Sequence, residues 1–226
     1  MFDYQDLSTT TFNGGRWYQT PGSKFYASIT TILGGSMPVE KEKSLTDWRN
    51  ALGADKADSI TKAAAARGTA VHLMIERHLK GEDVFAPVNG KSFAPEDVNS
   101  FTALKGKLKN IEKVWCQEAA LYSDTLEIAG RVDCIGIYKG KPCIIDFKTS
   151  TRVKADKDIE DYKLQLTAYA AMHNEMFDTN IDHGVILMVA DVGFPLEFNV
   201  ELNKYFDALC LRIDQFYEKV EKTALH

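Results

Sequence analysis

Residues 130–150 read GRVDCIGIYKGKPCIIDFKTS, and this stretch decides the fold of the chain. Two runs rich in β-branched and aromatic residues, 132–138 and 143–147, flank the turn sequence Lys-Gly-Lys-Pro. Strand-forming residues on both sides of a short turn that contains Gly and Pro predict a β-hairpin. The hairpin therefore supplies two neighbouring strands of a predicted sheet.

Each strand of the hairpin carries one carboxylate among apolar neighbours, Asp133 in the first and Asp146 in the second. A buried carboxylate needs a cation or several donors to offset its lost hydration, and a divalent metal shared by both acids supplies that. Lys148 follows two residues after Asp146, so the period of a strand places both side chains on one face. The alternative is a hairpin whose acids lie in solvent at the strand ends, with the lysine paired to one of them.

A second informative stretch is rich in alanine. Residues 63–76 read AAAARGTAVHLMIE and lie in a predicted helical region, 55–79, which forms one helix or two helices joined at Arg67. The small residues allow this helix to approach a neighbouring element closely. A single histidine on a helix, such as His72, more often packs or hydrogen-bonds than binds a metal. The helix alone therefore does not assign His72 as a ligand.

Three motifs together resemble a known enzyme family. In chain order they are Arg67-Gly-Thr-Ala-Val-His72, then Asp133 followed by Asp146-Phe147-Lys148, and Gln165-Leu-Thr-Ala-Tyr169. This series resembles the RecB-like branch of the PD-(D/E)XK nuclease superfamily. The resemblance implies an α/β, restriction-endonuclease-like core, in which helices flank a mixed central β-sheet, with an N-terminal helical region.

The resemblance also implies a metal site and a catalytic lysine. Lys148 orients or helps deprotonate the attacking water, and Glu118, on an earlier strand, assists the metal directly or through water. A histidine nitrogen suits Mn²⁺ somewhat better than Mg²⁺, and either metal is expected, as one ion or two. No iron-sulfur cluster is expected, because the chain lacks the early cysteine and late cysteine trio of relatives that carry one. The implied metal ligands are His72, Asp133, Asp146 and the carbonyl oxygen of Phe147.

Six residues are candidates for DNA contact: Arg67, Gln165, Tyr169, Ser28, Thr31 and Arg49. The resemblance implies that Gln165 and Tyr169 border the active site and that Arg67 faces a phosphate. The alternative for Arg67 is an ion pair with an acid on a neighbouring helix. The alternative for Gln165 and Tyr169 is a core helix with a buried tyrosine and an exposed glutamine. The hydroxyls of Ser28 and Thr31 either cap a helix or contact a phosphate. Arg49 either contacts DNA, beside the aromatic Trp48, or takes part in ordinary packing.

The expected function follows from this constellation and from a narrower resemblance to compact single-strand exonucleases of phages and of mitochondrial genome maintenance. We expect a divalent-metal-dependent DNA exonuclease that acts on single strands, leaves 5′-phosphates, and serves phage-type recombination, repair or degradation. Two alternatives remain open. The chain is then either a structure-specific endonuclease or a module that binds DNA ends without cutting them.

Composition sets wider limits. The 226 residues and the formal net charge of -5 fit one domain, and an acidic total neither indicates nor excludes DNA binding. We expect an N-terminal arm and helical region over 1–113 and a sheet core over 114–226. The four cysteines show no zinc spacing and are expected to be reduced. With no signal sequence or membrane segment evident, we expect a soluble, cytoplasmic protein, and a monomer is favoured.

The remaining pattern predicts further elements. Residues 45–52 predict a helix with Trp48 inward and Arg49 outward, and residues 151–161 a mobile, charged segment. Other helices are expected over 96–113, from 162 onward and over 203–220, and other strands over 114–122, 183–190 and 196–202. Two short extended pieces near the N-terminus predict a small hairpin or an arm laid over the domain.

Overall fold

The chain is described by a computed structural model that covers residues 2–191 and 193–224. Within them lie eight strands and six helices. The strands are β1 (Thr9–Phe12), β2 (Gly15–Gln19), β3 (Phe25–Ser28), β4 (Ile111–Ser123), β5 (Ile128–Tyr138), β6 (Lys141–Ser150), β7 (His183–Ala190) and β8 (Pro195–Glu201). The helices are α1 (Ile29–Gly35), α2 (Val39–Leu52), α3 (Ala54–Lys80), α4 (Pro95–Leu108), α5 (Glu160–Phe177) and α6 (Phe206–Ala224). Short 3₁₀ turns occupy Asp156–Asp158 and Leu202–Tyr205.

All eight strands form one mixed sheet around β5. Strand β4 pairs with β5 along almost its whole length, from Ile128 to Tyr138, and so occupies one edge of that strand. The other edge is shared: β3 pairs with the first two residues of β5, and β6 pairs with its last five. Beyond β6 the sheet continues through the parallel strand β7 to β8. Strand β5 therefore changes its neighbour from β3 to β6 halfway along, which leaves a gap in the sheet.

Two helical layers cover the sheet. One face packs against α3 and α4 through a cluster that includes Val71, Phe101, Leu104 and Phe147. The opposite face packs against α1, α5 and α6 through a larger cluster with Ile144, Ile186 and Leu209 among its members. The alternation along β6 explains this division, because Ile145 and Phe147 point to one layer while Ile144 points to the other. The described helices include none that is long and apolar enough to cross a membrane.

Several predicted elements are confirmed and two are wrong. The hairpin of β5 and β6 forms, residues 54–80 make one continuous helix, and the four cysteines are free. The helix predicted over 96–113 ends at Leu108, and β4 begins at Ile111. Lys109 and Lys113 therefore lie outside that helix. Trp48 is 38% exposed instead of inward, because α2 has no buried residue. The N-terminal pieces form a hairpin that is part of the main sheet.

The pairing of β4 with β5 is irregular at Gly136. The register shifts between Val114 and Cys116, and a Cβ atom built on Gly136 would lie 2.1 Å from the backbone oxygen of Lys113. A backbone atom cannot move aside as a flexible side chain can. Only glycine therefore fits at this point of the strand.

Replacing Gly136 by alanine should lower the free energy of unfolding by about 1–3 kcal/mol, because the strands must separate to admit the methyl group. Gly106→Ala is the matched control, since a Cβ atom in that position of α4 meets nothing within 4 Å. It should be neutral or raise the free energy of unfolding by about 0.5–1 kcal/mol. Urea unfolding followed by circular dichroism measures both values. Equal stability of the two variants would contradict the assigned close approach.

Candidate active site

The site forms at the gap where β5 changes its neighbour. Pairing of β5 with β6 ends at Cys134 and Ile145, so the next residues in register, Asp133 and Asp146, face each other across diverging strands. On the other edge of β5 the register places Glu118 of β4 opposite Asp133, and this pair is also absent from the ladder. Three carboxylates from three adjacent strands are thus brought to one gap. The backbone groups freed there are available to side chains.

Asp133 and His72 hold the backbone of Phe147. The Phe147 amide donates a hydrogen bond of 2.9 Å to Asp133 Oδ2, which replaces a lost ladder contact. The Nε2 atom of His72 lies 2.7 Å from the Phe147 carbonyl oxygen and donates to it when that nitrogen carries the proton. The Nδ1 atom of His72 lies 3.6 Å from Asp133 Oδ2. Helix α3 and the two hairpin strands therefore meet at one peptide unit.

His72, Glu118 and Asp133 form a potential cation site. One ligand atom from each residue lies within 4.8 Å of the others. Two carboxylates and an imidazole suit a divalent ion such as Mg²⁺ or Mn²⁺. The Phe147 carbonyl adjoins this group through its contact with His72. Asp146 does not belong to the three-residue group, so its predicted ligand role and that of Phe147 stay predictions.

Glu118 occupies its place through a strained backbone. Its φ is 50°, in the left-handed region, which costs a non-glycine residue on the order of 1 kcal/mol. Arg131 of β5 donates a hydrogen bond to the Glu118 carbonyl oxygen and pairs at 2.5 Å with Asp6 of the N-terminal arm. Burial, with a contribution from Asp133, raises the pKa of the Glu118 carboxyl group. A bound cation would favour its ionised form.

Asp146 and Lys148 form a buried ion pair. The Lys148 ammonium lies 2.7 Å from both carboxylate oxygens and donates a hydrogen bond to Oδ1. Asp146 Oδ2 is buried, and its contact with the ammonium lacks hydrogen-bond geometry, so among the described residues this oxygen has an ion-pair partner but no hydrogen-bond donor. Burial raises the pKa of Asp146 to about 6, although Lys148 opposes the shift. An oxygen without a hydrogen-bond donor and the raised pKa fit a carboxylate that a divalent cation would complete, so the donor set present accommodates the predicted metal.

The ammonium of Lys148 is held charged by its neighbours. Burial acts to lower the pKa of Lys148, but Asp146 and Asp133 outweigh burial, and the pKa is raised. Its side chain keeps 18% of its surface exposed, whereas that of Asp146 keeps 1%. A charged amine that is anchored at one side and open at the other can orient a water molecule or a phosphate oxygen.

Gln165 and Tyr169 lie in the buried layer behind the gap. The Gln165 side-chain amide donates a hydrogen bond of 3.0 Å to the Tyr169 hydroxyl. The Tyr169 ring packs over Gly130 of β5, where an added Cβ atom would lie 2.8 Å from the ring. Tyr169 is only 3% exposed and Gln165 8%, so the structure places both near the acids but inside the domain. Their predicted contact with DNA stays a prediction.

Ser28 and Thr31 connect α1 to the N-terminal strands. Ser28 is the N-cap of α1 and accepts from the Thr31 amide at 3.1 Å, as one of the two interpretations predicts. The Thr31 hydroxyl accepts from the Arg16 amide at 2.9 Å. Both hydroxyls thus have structural partners. The phosphate contacts proposed for them stay predictions.

The two candidate arginines have acidic partners. Arg67 pairs with Asp191, which follows β7, and donates a hydrogen bond of 2.8 Å to Ser100 of α4. This partner is an acid beyond a strand, not on a neighbouring helix. Arg49 pairs with Asp58 at 2.6 Å, and both side chains are about half exposed. Neither geometry tests a contact with DNA.

Some residues that shape the site have no signal in the sequence. Arg131 and Asp6, which hold the Glu118 backbone, lie 125 positions apart. Tyr162, at the start of α5, places its ring 5.1 Å from the Lys148 ammonium and 4.5 Å from that of Lys154. These pairings arise from tertiary packing alone.

Replacing Asp133 by asparagine should weaken binding of Mn²⁺ at least about tenfold, because the charge is lost while the acceptor for the Phe147 amide is kept. Isothermal calorimetry with Mn²⁺ measures this without any reaction. Glu112→Gln, at an exposed position of the same sheet, is the control and should bind as the unmodified chain does. Unchanged affinity in Asp133→Asn would contradict the metal site.

Comparison with known proteins places this geometry in context. A model of the PD-(D/E)XK nuclease superfamily matches residues 47–190, which include His72, the three carboxylates, Lys148 and the Gln165–Tyr169 pair. Mitochondrial genome maintenance exonuclease 1 of Xenopus tropicalis is 28% identical over 207 residues, covering 86% of this chain and 58% of that protein. The protein of the same name from Mus musculus is 28% identical over 203 residues, covering 85% of this chain and 59% of its own length.

The chain thus spans less than two thirds of these relatives. Among solved structures, a protein of Eubacterium rectale aligns with a TM-score of 0.49 and 11% identity over 68% of this chain and 66% of that one. A likeness at that level supports no conclusion by itself. The family match covers well over half of the chain and contains the whole site, so the chain belongs to the PD-(D/E)XK nuclease superfamily.

Proposed function

We propose that the chain is a divalent-metal-dependent exonuclease that hydrolyses phosphodiesters of single-stranded DNA and leaves 5′-phosphates. The observation that carries this proposal is the meeting of His72, Glu118 and Asp133 within 4.8 Å, beside the buried pair of Asp146 and Lys148. These five residues come from four elements, α3, β4, β5 and β6, and meet at one gap in the sheet. Such convergence of acids, imidazole and amine is suited to hydrolysis of a phosphate ester.

The residues of the site have separate chemical roles. His72, Asp133 and Glu118 would hold the cation, with Asp146 and the Phe147 carbonyl beside them, and the cation supplies Lewis acidity and a more acidic bound water. Lys148 presents its ammonium from the Asp146 side and stabilises the negative charge that develops on the phosphate oxygens. Attack of water forms a new oxygen–phosphorus bond and breaks the bond to the 3′ oxygen. A proton passes to that oxygen, so the products carry a 5′-phosphate and a 3′-hydroxyl.

Two observations support an exonuclease acting on single strands. The relatives with 28% identity are named as exonucleases. In addition, α2 projects without a single buried residue and exposes Val39, Leu45 and Trp48 at 75%, 51% and 38%. Exposed apolar and aromatic side chains offer stacking surfaces to unpaired bases, which a duplex keeps hidden.

End-labelled linear single-stranded DNA should be degraded in the presence of Mg²⁺ or Mn²⁺, and closed circular single-stranded DNA should stay intact. EDTA should stop the reaction, because the acids then lack their cation. Gel electrophoresis of both substrates measures the outcome, with Asp146→Asn as the blank. Cutting of the circle would indicate an endonuclease. Binding of DNA without cutting would indicate a binding module.

Lys148→Met should lower kcat by a factor of at least roughly 100, since a single charged donor to the transition state contributes about that much. Affinity for DNA should change little, because the proposal places Lys148 at one phosphate of a strand that carries many. Lys91→Met, which alters an exposed loop lysine, is the matched control and should keep the full rate. Removal of the Lys148 ammonium leaves the buried Asp146 without its cation and can destabilise the fold. Circular dichroism therefore checks that each variant is folded. A folded Lys148→Met variant of normal kcat would remove Lys148 from the mechanism.

A further inference from the structure

A cavity of about 560 Å³ adjoins the active site on the far side of Tyr162. Its walls come from the segment after β6, the start of α5, the start of α2 and the first two turns of α6. The size lies within the range of sites that hold small organic ligands. The cavity is lined by five cationic, three acidic and several apolar residues, and the cations are Lys41, Arg152, Lys154, Lys157 and Arg212.

The positive charge of this cavity is only partly neutralised from within. Asp161 forms ion pairs with both Lys41 and Arg212, and Asp158 forms one of 3.5 Å with Arg152. No carboxylate among the described residues pairs with Lys154, which is half-buried and hydrogen-bonds the neutral hydroxyl of Tyr162 at 2.7 Å. A cation partly withdrawn from water without an acid favours an anionic ligand. In a chain with a net charge of -5, this local excess of cations points to a bound anion.

Tyr162 connects this cavity to the catalytic lysine. Its ring lies 4.5 Å from the ammonium of Lys154 and 5.1 Å from that of Lys148, so both amines share one aromatic ring. Both distances lie within the range of cation–π attraction. A group bound at Lys154 is therefore one ring away from the group held by Lys148. That spacing suits adjacent parts of one strand.

Part of the lining of the cavity is apolar. Leu164, Ala208 and Leu211 contribute to it, and Leu211 is 57% exposed although it lies beside a cavity. An exposed leucine at the mouth of a charged cavity offers a surface for the flat face of a base or for a sugar. The combination of an unpaired amine, an aromatic ring and an apolar wall matches a nucleotide better than a simple phosphate ion.

We propose that this cavity binds the 5′-terminal nucleotide of the strand, next to the linkage that Lys148 faces, with its 5′-phosphate on Lys154 and its sugar and base along Tyr162 and Leu211. The inference rests on the proposed function, because each cut leaves a 5′-phosphate on the nucleotide that becomes the new end of the strand. Tyr162 is a positioning residue: its ring orients Lys148, and its hydroxyl orients Lys154. The ligand class is a deoxynucleoside 5′-monophosphate or the 5′-phosphorylated end of an oligonucleotide.

Binding of deoxyadenosine 5′-monophosphate in EDTA tests the cavity separately from catalysis. Ligand-observed NMR should detect the nucleotide, and deoxyadenosine without phosphate should bind at least about tenfold more weakly, because it lacks the charge that Lys154 pairs with. Lys154→Met should weaken binding of the nucleotide by a similar factor, and Lys91→Met should leave binding unchanged. No binding to the unmodified chain, or equal binding to Lys154→Met, would overturn the proposal. A chain that cuts DNA without binding the nucleotide overturns only this site, and one that binds without cutting overturns only the proposed function.

Substitution of Tyr162 separates its two contacts. Tyr162→Phe keeps the ring beside Lys148 but loses the hydroxyl at Lys154, so KM for linear single-stranded DNA should rise several-fold with kcat retained. Tyr162→Leu loses both contacts, so kcat should also fall roughly three- to tenfold. Rescue of kcat by phenylalanine is the expected signature of positioning. Equal kinetics in the two variants would contradict the role assigned to the ring.

Discussion

The constraint on which the structure depends is that β5 has two edges and three partners. Strand β4 fills one edge, so β3 and β6 must divide the other, and a gap opens between them. A gap in a sheet frees backbone groups that need partners, and buried groups without partners are costly. Asp133 meets part of that need by accepting from the Phe147 amide. The irregularity that weakens the sheet thus creates a place where acids from adjacent strands and a helical histidine meet.

Charge burial links the fold to the chemistry. Asp146 is 1% exposed, and burial together with the charge of Asp133 raises its pKa. This arrangement would be strongly unfavourable without compensating cations. Lys148 supplies one positive charge, whereas two carboxylates, Asp146 and Asp133, act on it, so one negative charge remains. A divalent ion would complete the compensation. The same electrostatic imbalance that destabilises the site alone therefore provides the driving force for binding a metal.

The sequence predicted the parts of the site that depend on local pattern. The hairpin follows from two β-rich runs around a turn, and Asp133 and Asp146 follow from their places in those runs. The role of His72 could be predicted only from the Arg-Gly-Thr-Ala-Val-His motif, because a histidine on a helix more often packs than binds a metal. Its position at the site depends on tertiary packing, which brings its Nε2 atom within 2.7 Å of the Phe147 carbonyl oxygen of β6. Trp48 was misplaced because an apolar residue on a helix usually points inward, and nothing local reveals that α2 lacks a buried face. The pairings of Arg131 and Tyr162 depend on how distant elements pack, which no spacing in the sequence encodes.

An acidic chain can bind DNA when its charges are separated in space. The carboxylates gather at the gap in the sheet, where a cation reverses their effect on an approaching phosphate. Lys154, in contrast, lies across the Tyr162 ring from Lys148, and no carboxylate in the described part of the chain pairs with it. Because electrostatic attraction falls off over about 8 Å at physiological ionic strength, a strand responds to these local charges and not to the total. The net charge of -5 therefore describes the surface as a whole and says little about the path that a phosphate backbone takes through the site.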